Sequence, residues 1–211
     1  MFGIHDYWLF VLSAMLLIVA PGQDTLYILG RSIGQGQRIG IASALGVSAG
    51  TVVHTFAAAL GLSAIVATSA TAFLAIKLIG AAYLVYLGVR AIVAPSTVID
   101  LDTARVGDAR TAFRQGLVTN VLNPKVGLFF LAFLPQFVDP NAPHPAVQIA
   151  FLGILFVLLG LITDSLWALA AGTAGGMLRR SRRFVRTQRY VSGTVYIGLG
   201  VATAFAGSVE D

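Results

Sequence analysis

Charged residues are sparse along this chain, and the apolar stretches between them have the length of membrane crossings. Tyr7 to Gly30 covers 24 residues with Asp24 as its only formal charge, and about 20 apolar residues cross a bilayer as a helix. That predicts span one. Ile39 to Val89 runs for 51 residues with only Lys77 charged. This is too long for one crossing and right for two, with Thr68, Ser69, Ala70 and Thr71 as the turn between spans two and three. Gln115 to Val138 gives 24 residues with only Lys125 charged, Pro140 to Leu178 gives 39 with only Asp164, and Tyr190 to Val209 has no charge. These predict spans four, five and six. The cluster Pro140, Asn141, Pro143, His144 and Pro145 makes the start of the 39-residue stretch a loop, so a seventh crossing is not expected.

Composition agrees. Of 211 residues, 57% are hydrophobic and 11% charged, against roughly 45–50% and 25% in ordinary soluble domains. A soluble globular domain is excluded, and the expectation is one all-α integral membrane domain over residues 1–211. There is no cysteine, hence no disulfide and no thiolate chemistry. No Lys or Arg precedes Tyr7, so the first apolar stretch lacks the basic start of a cleaved signal peptide and is expected to be retained.

The net charge of +5 would suggest nucleic acid in a soluble protein. Here its placement points to topology instead. Twelve of the 14 Lys and Arg residues fall in three loops: Arg31 and Arg38; Arg90, Arg105, Arg110 and Arg114; and Arg179, Arg180, Arg182, Arg183, Arg186 and Arg189. By the positive-inside rule these loops face the cytoplasm and both termini face out. The arginine run beside a membrane end is expected to set orientation and contact lipid, with no nucleic-acid partner.

The chain has a two-part organisation. Span one is broken at Pro21-Gly22 and span four at Pro124, since proline inside a helix removes a hydrogen bond and kinks the axis. Spans one to three start outside and spans four to six start inside. The expectation is therefore two inverted three-helix repeats, about 7–94 and 115–209, joined by a cytoplasmic loop at about 95–114. Interrupted spans at matching places in two halves point to a transporter site near the midplane. Counting from the inner end, Pro21 and Pro124 lie nine residues in, Lys125 ten and Asp24 six, a height difference of only about 6 Å at about 1.5 Å per residue. Asp164 falls in a similar layer, and His54, 13 residues past Ile41, lies near the midplane. Intramembrane charges are costly and usually line a cavity or pair with each other. A bland alternative is an Asp24–Lys125 ion pair that pins the broken helices. Lys77, about seven residues from the outer end of its span, can snorkel to the interface.

Other motifs carry less. Gly46-Val47-Ser48-Ala49-Gly50 matches the G-x-S-x-G nucleophile elbow, but that motif needs a strand-turn-helix setting. Within a membrane helix it reads as a G-xxx-G packing face, like Gly30 with Gly34, Gly36 with Gly40 and Gly172 with Gly176, and such faces would permit a homodimer. Ser48 and His54, six residues apart, are about 120° from a shared helical face, a poor geometry for a hydrolase dyad. No enzyme activity, cofactor or metal site is expected. An exporter of a metal cation or another small solute is the alternative function, although a lysine among the carboxylates disfavours a metal.

Three strings carry a resemblance: PGQDTLYILGRSIGQGQRIGIASALGVSAGTVVH from Pro21 to His54, KLIGAAYLVYLGVRA from Lys77 to Ala91, and FRQGLVTNVLNPKVGLFFLAFLPQFV from Phe113 to Val138. In that order and spacing the chain resembles the lysine exporter superfamily in its homoserine and threonine efflux branch. The resemblance implies a secondary-active exporter of amino acids or close derivatives, of threonine, homoserine or leucine type, working by proton antiport. The family's span-one motif is PGP followed by Asp or Asn. This sequence keeps Pro21, Gly22 and Asp24 but carries Gln23, one more hydrogen-bonding side chain beside the site. The NPK motif of span four is intact at Asn123, Pro124 and Lys125.

An amino acid is a zwitterion, so a dry site needs an anionic and a cationic partner together. Asp24 or Asp164 could take the ammonium group or a proton, and Lys125 with amides freed by a helix break could take the carboxylate. Asn123, Gln23 and His54 complete the candidate residues for substrate binding or proton coupling.

Overall fold

A computed structural model gives the fold and describes residues 4, 6–20, 22–62, 70–93, 107–139, 142–178 and 182–205. These are helical apart from short connections and one isolated antiparallel bridge between Ile4 and Val138. In chain order the helices are α1 (Tyr7–Val19), α2 (Gln23–Gln35), α3 (Gln37–Ala57), α4 (Ala70–Val93), α5 (Ala109–Val121), α6 (Pro124–Leu128), α7 (Pro145–Leu178) and α8 (Arg182–Phe205). A π-helical turn, Ala58–Leu62, extends α3, while a π-helical turn, Phe129–Phe133, and a 3₁₀ turn, Leu134–Phe137, extend α6.

The protein is an all-α membrane protein. Gln37–Gly61, Leu74–Val93 and Pro145–Thr173 are each long and apolar enough to cross a membrane. Two bent helix pairs, α1 with α2 at 49° and α5 with the α6 segment at 46°, are each long and apolar enough together to form one broken span. The shorter apolar stretch Tyr190–Phe205 of α8 is the sixth hydrophobic segment. Pro124 opens α6 at its first position, where the missing N–H would be unbonded anyway, so the break costs little. Pro21 lies outside the described residues.

Two expectations are corrected, for Arg31 and for Thr71. Arg31 is not in a loop: α2 continues through it to Gln35, and Gly36 alone separates α2 from α3. Gly36 has φ 89°, a conformation glycine adopts without a Cβ penalty, and this makes the one-residue turn. Arg31 is buried, hydrogen-bonds the Gln115 side chain of α5 and lies 5.6 Å from the centre of the Tyr27 ring. Lys77 is largely buried. It is 8% exposed and lies one turn from Gly80, whose face packs on Ala132. Thr71, assigned to a turn, lies in the first turn of α4.

Lipid gives helices no hydrophobic reason to associate, so close packing through small residues has to do it. A Cβ at Gly46 would overlap the Phe113 carbonyl of α5, and one at Gly50 would sit 2.7 Å from Asn120 Cβ. Gly88 and Gly193 bring α4 and α8 together in the same way, each within 2.7 Å of the other's carbonyl oxygen once a Cβ is added. Gly40, Gly46, Gly50 and Gly172 therefore spend their close approaches within the chain. An aromatic cluster fills one end of the core: the Phe129 and Phe156 rings are 4.8 Å apart, and Phe10 meets Phe137 edge-on at 5.4 Å.

Candidate functional site

The two helix breaks cap each other. A break leaves the last carbonyls of one segment and the first amides of the next without helical partners. Asn123 is the N-cap of α6, its Oδ1 accepting from the Lys125 backbone N–H at 3.0 Å. Lys125, second in α6, sends its ammonium across to α1, where Nζ donates to the Leu17 and Ala20 carbonyls at 3.2 Å each. A cation at the carbonyl end of a helix is favoured by the helix dipole. Gly22 leaves the space for it, since a Cβ there would sit 3.1 Å from Lys125 Nζ and 3.1 Å from the Tyr196 hydroxyl.

Asp24 occupies the equivalent second position of α2, where the helix dipole favours an anion. Its Oδ2 accepts from Asn120 Nδ2 and from Asn123 Nδ2, both at 2.8 Å. Those two asparagines flank the break in the other helix. Its Oδ1 is buried without a hydrogen-bond partner. Asp24 and Lys125 form no ion pair; each instead ties its own segment to the opposite break through hydrogen bonds.

Beside this latch lies a narrow cavity of about 30 Å³, room for about two water molecules where one needs roughly 10–15 Å³. Asp24, Lys125 and Asp164 all line it, so three of the intramembrane charges meet, while Lys77 lies elsewhere. Asp164 is 7% exposed and has no hydrogen bond or ion pair among the described residues. Lys125 uses two of its N–H groups on the α1 carbonyls, and an ammonium has three. One donor is thus left for a ligand. The rest of the wall is split between polar Ser48, Thr51 and Asn120 and apolar Ile18, Val126 and Phe156. A carboxylate without a partner among the described residues and a spare ammonium donor in one partly open cavity can hold the two ends of a zwitterion.

The other expected residues fall elsewhere. Gln23 is exposed at the first position of α2 and does not line the cavity. His54 places Nε2 3.0 Å from the Asn120 carbonyl and stacks on Phe130, an arrangement that supports the end of α5 behind the site. Asn123 lies beneath the cavity and acts through Asp24 and Lys125. Conversely, Asn120, Ser48 and Thr51 were not singled out as site residues. The packing reading of Gly46 to Gly50 holds for its glycines, but the serine between them faces the cavity.

Fold and site define a polytopic helical membrane protein with a charged intramembrane cavity between two broken helices. Residues 15–207 match the family of LysE type translocators, and the chain belongs to that family. It is 31% identical to an uncharacterised membrane protein of Pseudomonas aeruginosa, covering 97% of each chain. It is also 26% identical to a leucine efflux protein of Salmonella typhimurium, covering 96% of each. An uncharacterised membrane protein of Bacillus subtilis, YrhP, is 28% identical over 96% of this chain and 100% of its own. No solved structure matches the chain.

Proposed function

We propose that this protein is a secondary-active exporter of amino acids, of the leucine, threonine and homoserine kind, exchanging substrate for protons across the inner membrane. The observation that carries the reading is the cavity that Asp164 and Lys125 share, each with hydrogen-bonding capacity unused among the described residues. Asp164 takes the ammonium group; the spare Lys125 donor, aided by the Ser48 hydroxyl, takes the carboxylate. Family membership and the likeness to a leucine efflux protein support the substrate class.

In this reading Asp24 is a latch rather than a ligand. The observed cavity is too small for an amino acid, so substrate enters only when the α1–α2 and α5–α6 bends flex and the Asn120–Asp24–Asn123 hydrogen bonds exchange partners. A proton and a substrate ammonium compete for Asp164, and that competition couples their opposed movements. The loop arginines set the cytoplasmic side, with both termini outside, and the two halves act as inverted repeats about the cavity.

Inside-out vesicles with an acidic lumen test this directly. Adding the right amino acid to the medium releases protons, while divalent cations do not. Proton release by a divalent cation and by none of the amino acids would replace this reading with the metal-exporter alternative.

A further inference from the structure

Phe156, Gly160 and Asp164 follow one another at four-residue intervals in α7. They therefore share one face of the helix, and all three line the cavity. Other α7 glycines have packing reasons, since a Cβ at Gly153 would run into Thr55 and one at Gly172 into Gln37. Gly160 has none: a Cβ there meets no atom within 4 Å. The backbone does not require glycine either, because Gly160 lies inside a continuous helix and Gly36 is the only positive-φ glycine among the described residues. Glycine is a poorer helix former than alanine. What its bare Cα leaves is space, one turn from the Asp164 carboxylate. Phe156, a turn beyond, is 4% exposed and held by rings at 4.8 Å (Phe129) and 5.5 Å (Phe130), so that end of the face has a fixed floor.

Resting on the exporter reading above, we propose that Gly160 is the specificity-determining position for substrate size. With the ammonium group on Asp164, the substrate side chain runs along α7 over Gly160 towards Phe156, with Ile18 and Val126 as apolar walls. This selects aliphatic side chains and sets their upper length by the distance to the Phe156 ring. Charged side chains are disfavoured, because this part of the wall offers no group to pair with them.

The test compares leucine and alanine transport by purified protein in proteoliposomes, read as the ratio of their kcat/KM values. Gly160→Ala places one methyl group in the path of the longer side chain, so the leucine-to-alanine ratio falls by about tenfold, the lower end of what one methyl group discriminates in an apolar pocket. Gly160→Val lowers it further, and Phe156→Leu shifts preference towards phenylalanine by lowering the floor. An unchanged ratio in Gly160→Ala, with folding confirmed by its thermal unfolding curve, overturns the assignment, as does an equal fall for both substrates. The exporter reading fails separately: in that case the wild-type protein moves none of the amino acids, and the size filter falls with it.

Discussion

At the scale of residues, two buried carboxylates have different partners, and this separates their roles. Asp24 satisfies two buried asparagine amides through one oxygen. Asparagine at position 24 keeps an acceptor for both, whereas alanine strands them, and an unsatisfied buried polar group costs about 1–3 kcal/mol. Asp24→Ala should therefore lower the unfolding temperature in detergent clearly more than Asp24→Asn; equal losses would contradict the latch. Nor do Asp24 and Lys125 touch, so Asp24→Asn combined with Lys125→Met should transport no better than the worse single variant. Recovery in the double variant would restore the ion-pair explanation. The charged members of the site were legible in the sequence because a charge in an apolar span is rare and costly. Asn120, Ser48 and Thr51 were not: uncharged polar residues are tolerated in membrane helices and send no comparable signal. Gln23 and His54 share the depth of the site but point away from its cavity, and depth along a helix does not reveal azimuth.

Helix ends explain most of the local architecture. The NPK motif is an N-cap, a first-position proline and a cation that reaches the opposite break, so three adjacent residues end one segment, start the next and bind a third. Sequence located both breaks through proline and glycine. It missed the extension of α2 through Arg31, because an arginine beside an apolar stretch resembles a loop residue unless its partner, Gln115, is known. Between elements, Gly46 is the tightest test. Because its Cβ would overlap the Phe113 carbonyl, Gly46→Leu should force α3 from α5 and sharply reduce the yield of folded protein. Normal yield and unfolding temperature would mean the two helices are not so closely packed. At the exposed start of α5, Asp108 Oδ1 accepts from Thr111 N–H at 2.8 Å, and that hydrogen bond holds its carboxyl below the ordinary range, which is about 3.9. A lowered folded value means the cap stabilises fully above the ordinary pH range and is lost as pH falls through the lowered value. Amide exchange at Thr111, corrected for intrinsic rate, should accelerate over that acid interval in wild type and show no such step in Asp108→Ala.

Across the whole molecule, six hydrophobic segments among the described residues place three buried charges in one small cavity, and the order of one bent segment followed by two straight ones occurs twice along the chain. The segment count was legible because lipid imposes a length on every crossing. The cavity was not, since its size depends on which side chains meet across α1, α2, α3, α5, α6 and α7. The proposed orientation rests on arginine placement: cysteine introduced at His144 should react with an impermeant thiol reagent in intact cells, and cysteine at Thr111 should not. The reverse labelling would invert the direction of transport. The central claim is that Asp164 alternates between a proton and the substrate ammonium group. Its most direct test is proton release on adding leucine to inside-out vesicles containing wild-type or Asp164→Asn protein at equal folded amounts. The wild type should release protons and take up leucine, and Asp164→Asn should do neither; leucine uptake coupled to protons at the wild-type level in Asp164→Asn would contradict the account.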